Sequence, residues 1–211
     1  MPRFRRALLV LAAAALVAGG WPVSPAGAEP RVIVVLGDSL TAGLGVAQGE
    51  AWPARLQARL DRDGYPYRVV NAGVSGDTTA GGRRRVDWVL RSRPEIAIVA
   101  LGANDGLRGQ DVAAMRQNLA DIVARLAAGG ARVLLCGMRL PPNYGADYTQ
   151  AFTRAFGDVA RQAQVAFMPF LLDGVAVDPQ LNQPDGIHPN AAGHRVIAER
   201  VWPFLLPLLR R

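Results

Sequence analysis

Four short segments of the chain carry side chains that could perform nucleophilic catalysis. They are Gly37-Asp38-Ser39-Leu40, Asn71-Ala72-Gly73, Gly102-Ala103-Asn104-Asp105 and Asp185-Gly186-Ile187-His188. A serine hydroxyl becomes a good nucleophile only when a nearby base removes its proton, and the usual base is histidine. Ser39, which closely follows a strongly apolar run, is therefore the candidate nucleophile of an acyl-transfer site.

The chain has two histidines that could serve as that base. His188 is preceded by Asp185, and a tight turn would let this carboxylate accept the Nδ1 proton, which leaves Nε2 free to face the serine. His194 lies in a helical pattern without an acidic residue at a helpful spacing, so we predict that it is structural or surface-exposed. Ser39, His188 and Asp185 are thus the candidate triad.

Acyl transfer also needs hydrogen-bond donors aimed at the developing oxyanion. Candidates are the backbone N–H of Ser39, the backbone N–H of Gly73, where a glycine permits close approach, and the side-chain amide of Asn104. For each of these residues alone, a turn residue is the favoured interpretation. Their joint placement after three predicted strands favours an oxyanion hole.

Other interpretations of the first segment have less support. Ser39 could be an N-cap serine and Asp38 a metal ligand, but no His, Asp or Glu cluster has the spacing of a metal site. The Gly-x-Ser-x-Gly elbow of α/β-hydrolases is absent, and residues 37–43 lack the lysine of a phosphate-binding loop. We therefore predict no metal at this site.

The segments between these motifs indicate an α/β fold. Short apolar or β-branched runs occur at Val32–Leu36, Tyr67–Asn71, Ile96–Leu101, Arg132–Cys136 and Val165–Met168. Amphipathic helical patterns occur at Trp52–Arg62, Val112–Ala128, Tyr148–Gln164 and Ala191–Leu209. This alternation predicts a parallel sheet between layers of helices, with the ligand site beyond the carboxyl ends of the strands. The four motif segments should therefore meet at one edge.

The motifs resemble those of the SGNH hydrolases, also called GDSL-type esterases. Four blocks carry the resemblance: residues 37–43, 71–78, 101–109 and 185–189. The segments 104–109 and 140–145 are most similar to the periplasmic thioesterase, lysophospholipase and arylesterase branch.

The resemblance implies both a fold and a set of roles. The fold is a flavodoxin-like three-layer α/β/α arrangement with a five-stranded parallel sheet and no cofactor. Ser39 would be nucleophile and oxyanion donor, Gly73 and Asn104 further donors, His188 the base and Asp185 its partner. A loop at residues 75–80 is expected to move with substrate.

We therefore expect a serine esterase that hydrolyses ester and thioester bonds of small acyl substrates, including aryl esters and lysophospholipids. Candidate residues for an apolar acyl groove are Leu107, Pro141, Tyr144 and Phe170. One alternative is a carbohydrate O-acetylesterase, which would need a shallow polar cleft. A second alternative, from another class, is a non-catalytic periplasmic lipid-binding protein.

The N-terminus has the order of a secretory signal peptide. Arg3, Arg5 and Arg6 precede an apolar run over residues 7–20, and the small residues 26–28 follow. The apolar run of about 14 residues is shorter than the roughly 20 needed to span a membrane. We predict cleavage after Ala28, an exported periplasmic or secreted domain at 29–211, and no stable membrane insertion; an uncleaved anchor is the alternative.

Charge and cysteine content narrow the remaining classes. The net charge is +7, but no aromatic and basic stripe accompanies it, so nucleic acid is not an expected partner. The run Arg83-Arg84-Arg85 is predicted to be a solvated helix face. Cys136, the single cysteine, lies in an apolar run and is predicted to be a buried structural thiol. We expect a monomer.

Overall fold

A computed structural model of the protein describes residues 30–211. The predicted signal peptide at residues 1–28 lies outside this range. Within the described range, none of the helices combines the length and hydropathy that crossing a bilayer requires.

The centre of the molecule is a five-stranded sheet in which every neighbouring pair is parallel. The strands are β1 (Arg31–Gly37), β2 (Tyr67–Gly73), β3 (Ile96–Ala100), β4 (Arg132–Cys136) and β5 (Ala166–Met168). Their spatial order is β2-β1-β3-β4-β5, which is the flavodoxin-like order. The predicted fold class and all five predicted strands are confirmed, with ends that shift by one or two residues.

Seven α-helices are present in the described residues. They are α1 (Ser39–Ala42), α2 (Trp52–Arg62), α3 (Thr79–Leu90), α4 (Ala103–Leu107), α5 (Val112–Ala128), α6 (Ala146–Ala163) and α7 (Ala191–Leu205). Short 3₁₀ turns occur at Gln48–Glu50, Pro142–Tyr144 and Leu206–Leu208. The four predicted helices correspond to α2, α5, α6 and α7. The last ends at Leu205 and not at Leu209, because the chain enters a 3₁₀ turn that contains Pro207.

The helices form two layers around the sheet. Helix α2 packs against α7, while α3, α5 and α6 pack side by side as the other layer. All five residues of β3 are buried, as expected for a strand covered on both faces. On α5 the five apolar residues at helical spacing, from Met115 to Leu126, are all buried. Amphipathic periodicity therefore predicted correctly which faces of the long helices enter the core.

Cys136 lies at the end of β4 and is fully buried. Burial raises the pKa of its thiol to about 12, because the thiolate would lose its hydration. The prediction of a buried thiol is confirmed, and a group this protonated at neutral pH is a poor nucleophile.

One backbone position stores strain close to the carboxyl edge of the sheet. Val177 has a φ of 61° and its side chain is 91% exposed. A β-branched residue pays a steric penalty in this left-handed region, and so little burial cannot offset it.

Replacing Val177 by glycine should stabilise the protein. Glycine adopts positive φ without the Cβ clash, and this gain exceeds the entropy that glycine adds to the unfolded chain. We expect the free energy of unfolding of Val177→Gly to exceed that of Val177→Ala, which keeps a Cβ, by about 0.5–1 kcal/mol in urea denaturation. Equal or lower stability of the glycine variant would show that the position is unstrained.

Candidate active site

The carboxyl edge of the sheet brings the four motif segments together, as the parallel topology requires. Asp38 and Ser39 follow β1, and Asn104 lies in the first turn of α4, just after β3. Asp185 and His188 lie in the long connection between β5 and α7 and reach the same edge.

Ser39, His188 and Asp185 form a continuous chain of hydrogen bonds. The Oγ of Ser39 lies 2.9 Å from Nε2 of His188, although 149 positions separate the two residues. Nδ1 of His188 lies 2.7 Å from Oδ2 of Asp185. An ionised carboxylate can only accept, so Nδ1–H is the donor and the neutral ring presents Nε2 as acceptor to the serine hydroxyl. This arrangement can take a proton from Ser39.

The turn that presents His188 is held by Asp185 itself. Its Oδ1 accepts the backbone N–H groups of Ile187 and His188, each at 3.0 Å. These backbone bonds and the histidine ring lower the pKa of Asp185 to about 2, so it is ionised at neutral pH. Behind the turn, the N–H of Gln183 donates to the carbonyl of His188 at 2.7 Å and closes the loop.

Ser39 begins α1, and its neighbour Asp38 is the N-cap of this helix. Oδ1 of Asp38 accepts the N–H of Leu40 at 3.0 Å, the usual N-cap bond. The side chain is almost fully buried, and burial raises its pKa to about 6 despite the opposing bonds to backbone and to Asn104. Asp38 thus fixes the turn that carries the serine at the cost of a desolvated carboxylate.

The candidate oxyanion donors differ in whether their N–H groups already have a hydrogen-bond acceptor. The N–H of Ser39 has no acceptor within residues 30–211. The side-chain amide of Asn104 donates to the carbonyl of Asp77 at 3.0 Å and lies 3.3 Å from Oδ2 of Asp38. It is therefore held rigidly beside the serine-bearing turn.

Gly73 is placed differently from the expectation. Its N–H already donates to Oδ1 of Asn71 at 2.9 Å. A Cβ on Gly73 would lie 2.3 Å from the backbone nitrogen of Ala42, so the glycine lets α1 pack closely on β2. The geometry gives Gly73 a packing role, and its N–H is occupied.

Gly76, which the sequence did not single out, is a further candidate donor. It precedes Asp77, whose carbonyl receives the Asn104 amide, and its own N–H has no acceptor in the described part of the chain. Its φ of 77° suits glycine. The available signal was a second glycine in the same block, residues 71–78.

An apolar cavity of about 340 Å³ opens beside Ser39 and His188. Among the predicted groove residues, Leu107, Pro141 and Phe170 line it, but Tyr144 does not. The Tyr144 hydroxyl donates to the carbonyl of Leu107 at 3.0 Å and so supports the wall from outside. Apolar lining residues that the sequence did not single out are Met138, Leu140, Leu172, Val177 and Ile187.

A second, more open depression of about 410 Å³ lies between α3 and α5. It is lined mainly by arginines, and none of the candidate catalytic residues reaches it. Arg83 and Arg125 are already paired there with Asp121 and Asp87. This depression is separate from the chemistry at Ser39.

The second histidine is structural. His194 is 1% exposed, and its Nδ1 accepts the N–H of Trp52 at 3.3 Å. Burial, and secondarily the charge of Arg55, lower its pKa to about 4, so it is neutral at physiological pH. The prediction that His194 stays outside the catalytic chemistry agrees with this position.

The arginine run is only partly a solvated face. Arg83 and Arg84 are exposed on α3, but Arg85 turns inward toward the carboxyl ends of β1 and β2. The prediction was wrong for Arg85, because the third residue of a helical run points about 200° away from the first.

No group of three or more His, Cys, Asp or Glu side chains within residues 30–211 is arranged to hold a metal ion.

Comparison with known proteins identifies relatives along most of the chain. The model of the GDSL-like lipase/acylhydrolase family matches residues 35–196. A Pseudomonas aeruginosa protein named esterase TesA is 48% identical over 183 residues, which cover 86% of this chain and 91% of that protein. The Escherichia coli protein named thioesterase 1/protease 1/lysophospholipase L1 is 39% identical over 183 residues, covering 86% of each. A crystal structure of TesA matches with a TM-score of 0.83 at 48% identity, covering 85% of this chain and 100% of that one.

The buried carboxylate of Asp38 should make stability depend on pH. Its pKa is about 6 in the folded protein and 3.8 as the reference value, so the fold gains stability from its protonation below about pH 4 and loses it as the pH rises through 6. We expect wild type to lose about 2–3 kcal/mol relative to Asp38→Asn between pH 4 and 7.

Urea denaturation at several pH values measures this difference. Asp111→Asn, at the exposed N-cap of α5, is a control for exchanging one capping residue for another. Parallel pH profiles for wild type and Asp38→Asn would contradict a raised pKa at Asp38.

Proposed function

Because the chain belongs to the GDSL-like lipase/acylhydrolase family and is a carboxylic ester hydrolase, we propose that it is a serine esterase that acts through Ser39, His188 and Asp185. The observation that carries the proposal is the unbroken hydrogen-bonded chain from Ser39 Oγ through His188 to Asp185. Ser39 and His188 also line an apolar cavity that has room for an acyl group.

In the acylation step, Ser39 Oγ attacks the acyl carbonyl carbon while Nε2 of His188 takes its proton. The imidazolium that forms is stabilised by Asp185, whose low pKa keeps it ionised. The tetrahedral intermediate collapses, and His188 gives the proton to the departing alcohol or thiol. The acyl group remains as an ester on Ser39.

In the deacylation step, water replaces the leaving group. His188 removes a proton from the water as it attacks the acyl-enzyme, and the second tetrahedral intermediate releases the carboxylic acid and free Ser39. The leaving group takes no part in this step. An oxygen ester and a thioester of the same acid therefore pass through the same intermediate.

We assign the oxyanion to the N–H of Ser39, the side-chain amide of Asn104 and the N–H of Gly76. The first and third of these N–H groups have no acceptor within residues 30–211. Gly73, which the sequence suggested, is the weaker candidate because its N–H would first have to leave Asn71. Removal of one donor from such a hole typically lowers kcat by about 10²- to 10³-fold.

The proposed substrates are acyl esters and thioesters whose acyl chain enters the apolar cavity. Two relatives are named as an esterase and as a thioesterase and lysophospholipase. The largely apolar lining favours aryl esters, acyl thioesters and lysophospholipids over acetylated carbohydrates, which would need polar partners for the sugar. A non-catalytic lipid-binding role is disfavoured because the Ser39–His188–Asp185 chain is intact.

We also propose that residues 1–28 are a signal peptide and that the domain at residues 29–211 acts after export, in the periplasm or outside the cell. The proposal depends on the order of arginines, apolar run and small residues in the sequence. N-terminal sequencing of the exported protein, isolated from the periplasm or the medium, tests it. A mature chain that begins at Glu29 is expected, and one that begins at Met1 would contradict cleavage.

Replacing Ser39 by alanine should remove turnover without unfolding the protein. Without the hydroxyl no acyl-enzyme forms, so we expect kcat for a p-nitrophenyl ester to fall at least about a thousandfold. The melting temperature should stay near that of wild type. Ser92→Ala, two residues after the end of α3, is the matched control and should keep full activity. Substantial turnover by purified Ser39→Ala would exclude Ser39 as nucleophile.

The cavity predicts a preference for chains longer than acetyl. Each methylene transferred from water into an apolar wall contributes about 0.8 kcal/mol, so kcat/KM should rise about fourfold per added methylene until the cavity is full. A series of p-nitrophenyl esters from acetyl to palmitoyl, assayed below their solubility limits, measures this. Activity that is greatest for acetyl and falls with length would instead support a carbohydrate O-acetylesterase.

A further inference from the structure

The inward-facing Arg85 holds three separate parts of the carboxyl edge with one guanidinium. Its Nη1 donates to the carbonyl of Ala72 at 2.9 Å, and its Nη2 donates to the carbonyl of Gly37 at 3.3 Å. Its Nε and Nη2 also donate to Oδ2 of Asp77, at 2.9 and 2.5 Å. A guanidinium reaches these acceptors from three separate nitrogens in one plane, whereas an ammonium group would have to reach all of them from a single nitrogen.

These contacts link the two segments that carry the proposed chemistry. Gly37 lies two residues before Ser39 in the serine-bearing turn. Asp77 directly follows Gly76, and its carbonyl receives the Asn104 amide at 3.0 Å. Arg85 therefore connects the nucleophile turn to the loop that bears Gly76 and anchors the Asn104 amide.

The side chain of Asp77, just before α3, is closely packed and hydrogen-bonded. Its Oδ1 accepts the N–H of Thr78 at 3.1 Å, and its side chain is only 12% exposed. A Cβ added to Gly81 would lie 1.6 Å from the same Oδ1. The carboxylate occupies space that any side chain at position 81 would take.

From this geometry we propose that Arg85 is a positioning residue for acyl transfer, which acts by fixing the Gly76–Asp77 peptide relative to Ser39 and Asn104. The proposal rests on the function proposed above. Neither Arg85 nor Asp77 lines the cavity, so neither contacts the acyl chain. Loosening the clamp (the contacts of Arg85 with Gly37, Ala72 and Asp77) displaces the donors from the oxyanion while the ground-state binding site remains.

The distinction between transition state and ground state provides the test. Misalignment of a donor weakens only interactions made in the transition state, so kcat falls while KM changes little. A trifluoromethyl ketone bearing a medium-length alkyl chain forms a tetrahedral oxyanion adduct with the serine. Its Ki should rise by the same factor as kcat/KM falls.

The variants are Arg85→Gln, Arg85→Lys and, as the matched control, Arg84→Gln. Arg84 is its exposed neighbour on α3 and makes no ion pair with the residues at 30–211. We expect kcat to fall about 10- to 100-fold for Arg85→Gln and less for Arg85→Lys, with KM within about twofold of wild type. Arg84→Gln should match wild type in kcat, KM and Ki.

Gly81→Ala tests the clamp by disturbing Asp77, the partner of Arg85. In an ordinary helix this exchange increases helix propensity and stability. Here the added methyl displaces the Asp77 carboxylate, so kcat should fall while Arg85 itself is unchanged. The melting temperature of each variant is measured, and kcat is expressed per active site titrated with a phosphonate ester.

The outcomes separate the clamp from the proposed function. The clamp is overturned if Arg85→Gln and Gly81→Ala keep the kcat per active site of Arg84→Gln, or if KM rises in step with the loss. Failure of the proposed function would appear elsewhere, as turnover by Ser39→Ala or as wild type that does not bind the ketone. A fall in kcat and a matching rise in Ki at unchanged KM supports the positioning role.

Discussion

The site depends on one hydrogen bond between two residues 149 positions apart, from Ser39 Oγ to Nε2 of His188. Neither residue is held by a long regular element. Ser39 begins a helix of four residues, and His188 lies in an irregular connection. The 2.9 Å separation must therefore be set by what lies beneath: β1 buried at the centre of the sheet, and the loop at residues 182–189 closed on itself by backbone bonds. The fold provides rigidity that the local segments lack.

Two carboxylates near the serine illustrate how environment determines charge. Asp185 is roughly half exposed and accepts two backbone N–H groups and the histidine ring, so its pKa falls to about 2. Asp38 is almost fully buried, so its pKa rises to about 6 although it too accepts hydrogen bonds. The exposed carboxylate can therefore support a positive imidazolium, while the buried one is suited to holding the helix start and the Asn104 amide.

Sequence patterns predicted the parts of the fold that follow from repeated physical rules. Strands such as β3 are continuously apolar because both faces are covered, and α5 shows the spacing of one buried face. Helices α1 and α4 have four and five residues, too few to show a period, and α3 contains two glycines and three arginines among its first seven residues. Tertiary contacts, and not local pattern, account for these three helices.

The site was predicted at the level of residue types but not of side-chain directions. The spacing of Asp185 and His188 predicted a turn, and the turn exists because an aspartate bonds readily to nearby backbone N–H groups. The same rule applies to Asn71, whose side chain accepts from the backbone two residues on, and it could have predicted that the N–H of Gly73 is occupied. Tyr144 had no such local signal, since its hydroxyl bonds a distant backbone carbonyl. For Arg85 the helical period indicates only a direction different from that of Arg83, and not the carbonyls that its guanidinium contacts.

The contacts of Arg85 show how one arginine of a charged helical run can bind the strand ends of a parallel sheet and a neighbouring loop. Arg85 on α3 donates to the carbonyl of Gly37, the last residue of β1, and to that of Ala72, the residue before the last of β2. A donor from the next helix can satisfy these carbonyls and an acidic loop residue together, which removes freedom from the loop without adding bulk to the cavity. Neither Arg85 nor Asp77 lines the cavity beside Ser39. The proposed oxyanion donors can therefore be held rigidly without obstructing the cavity, in a site built largely from loops.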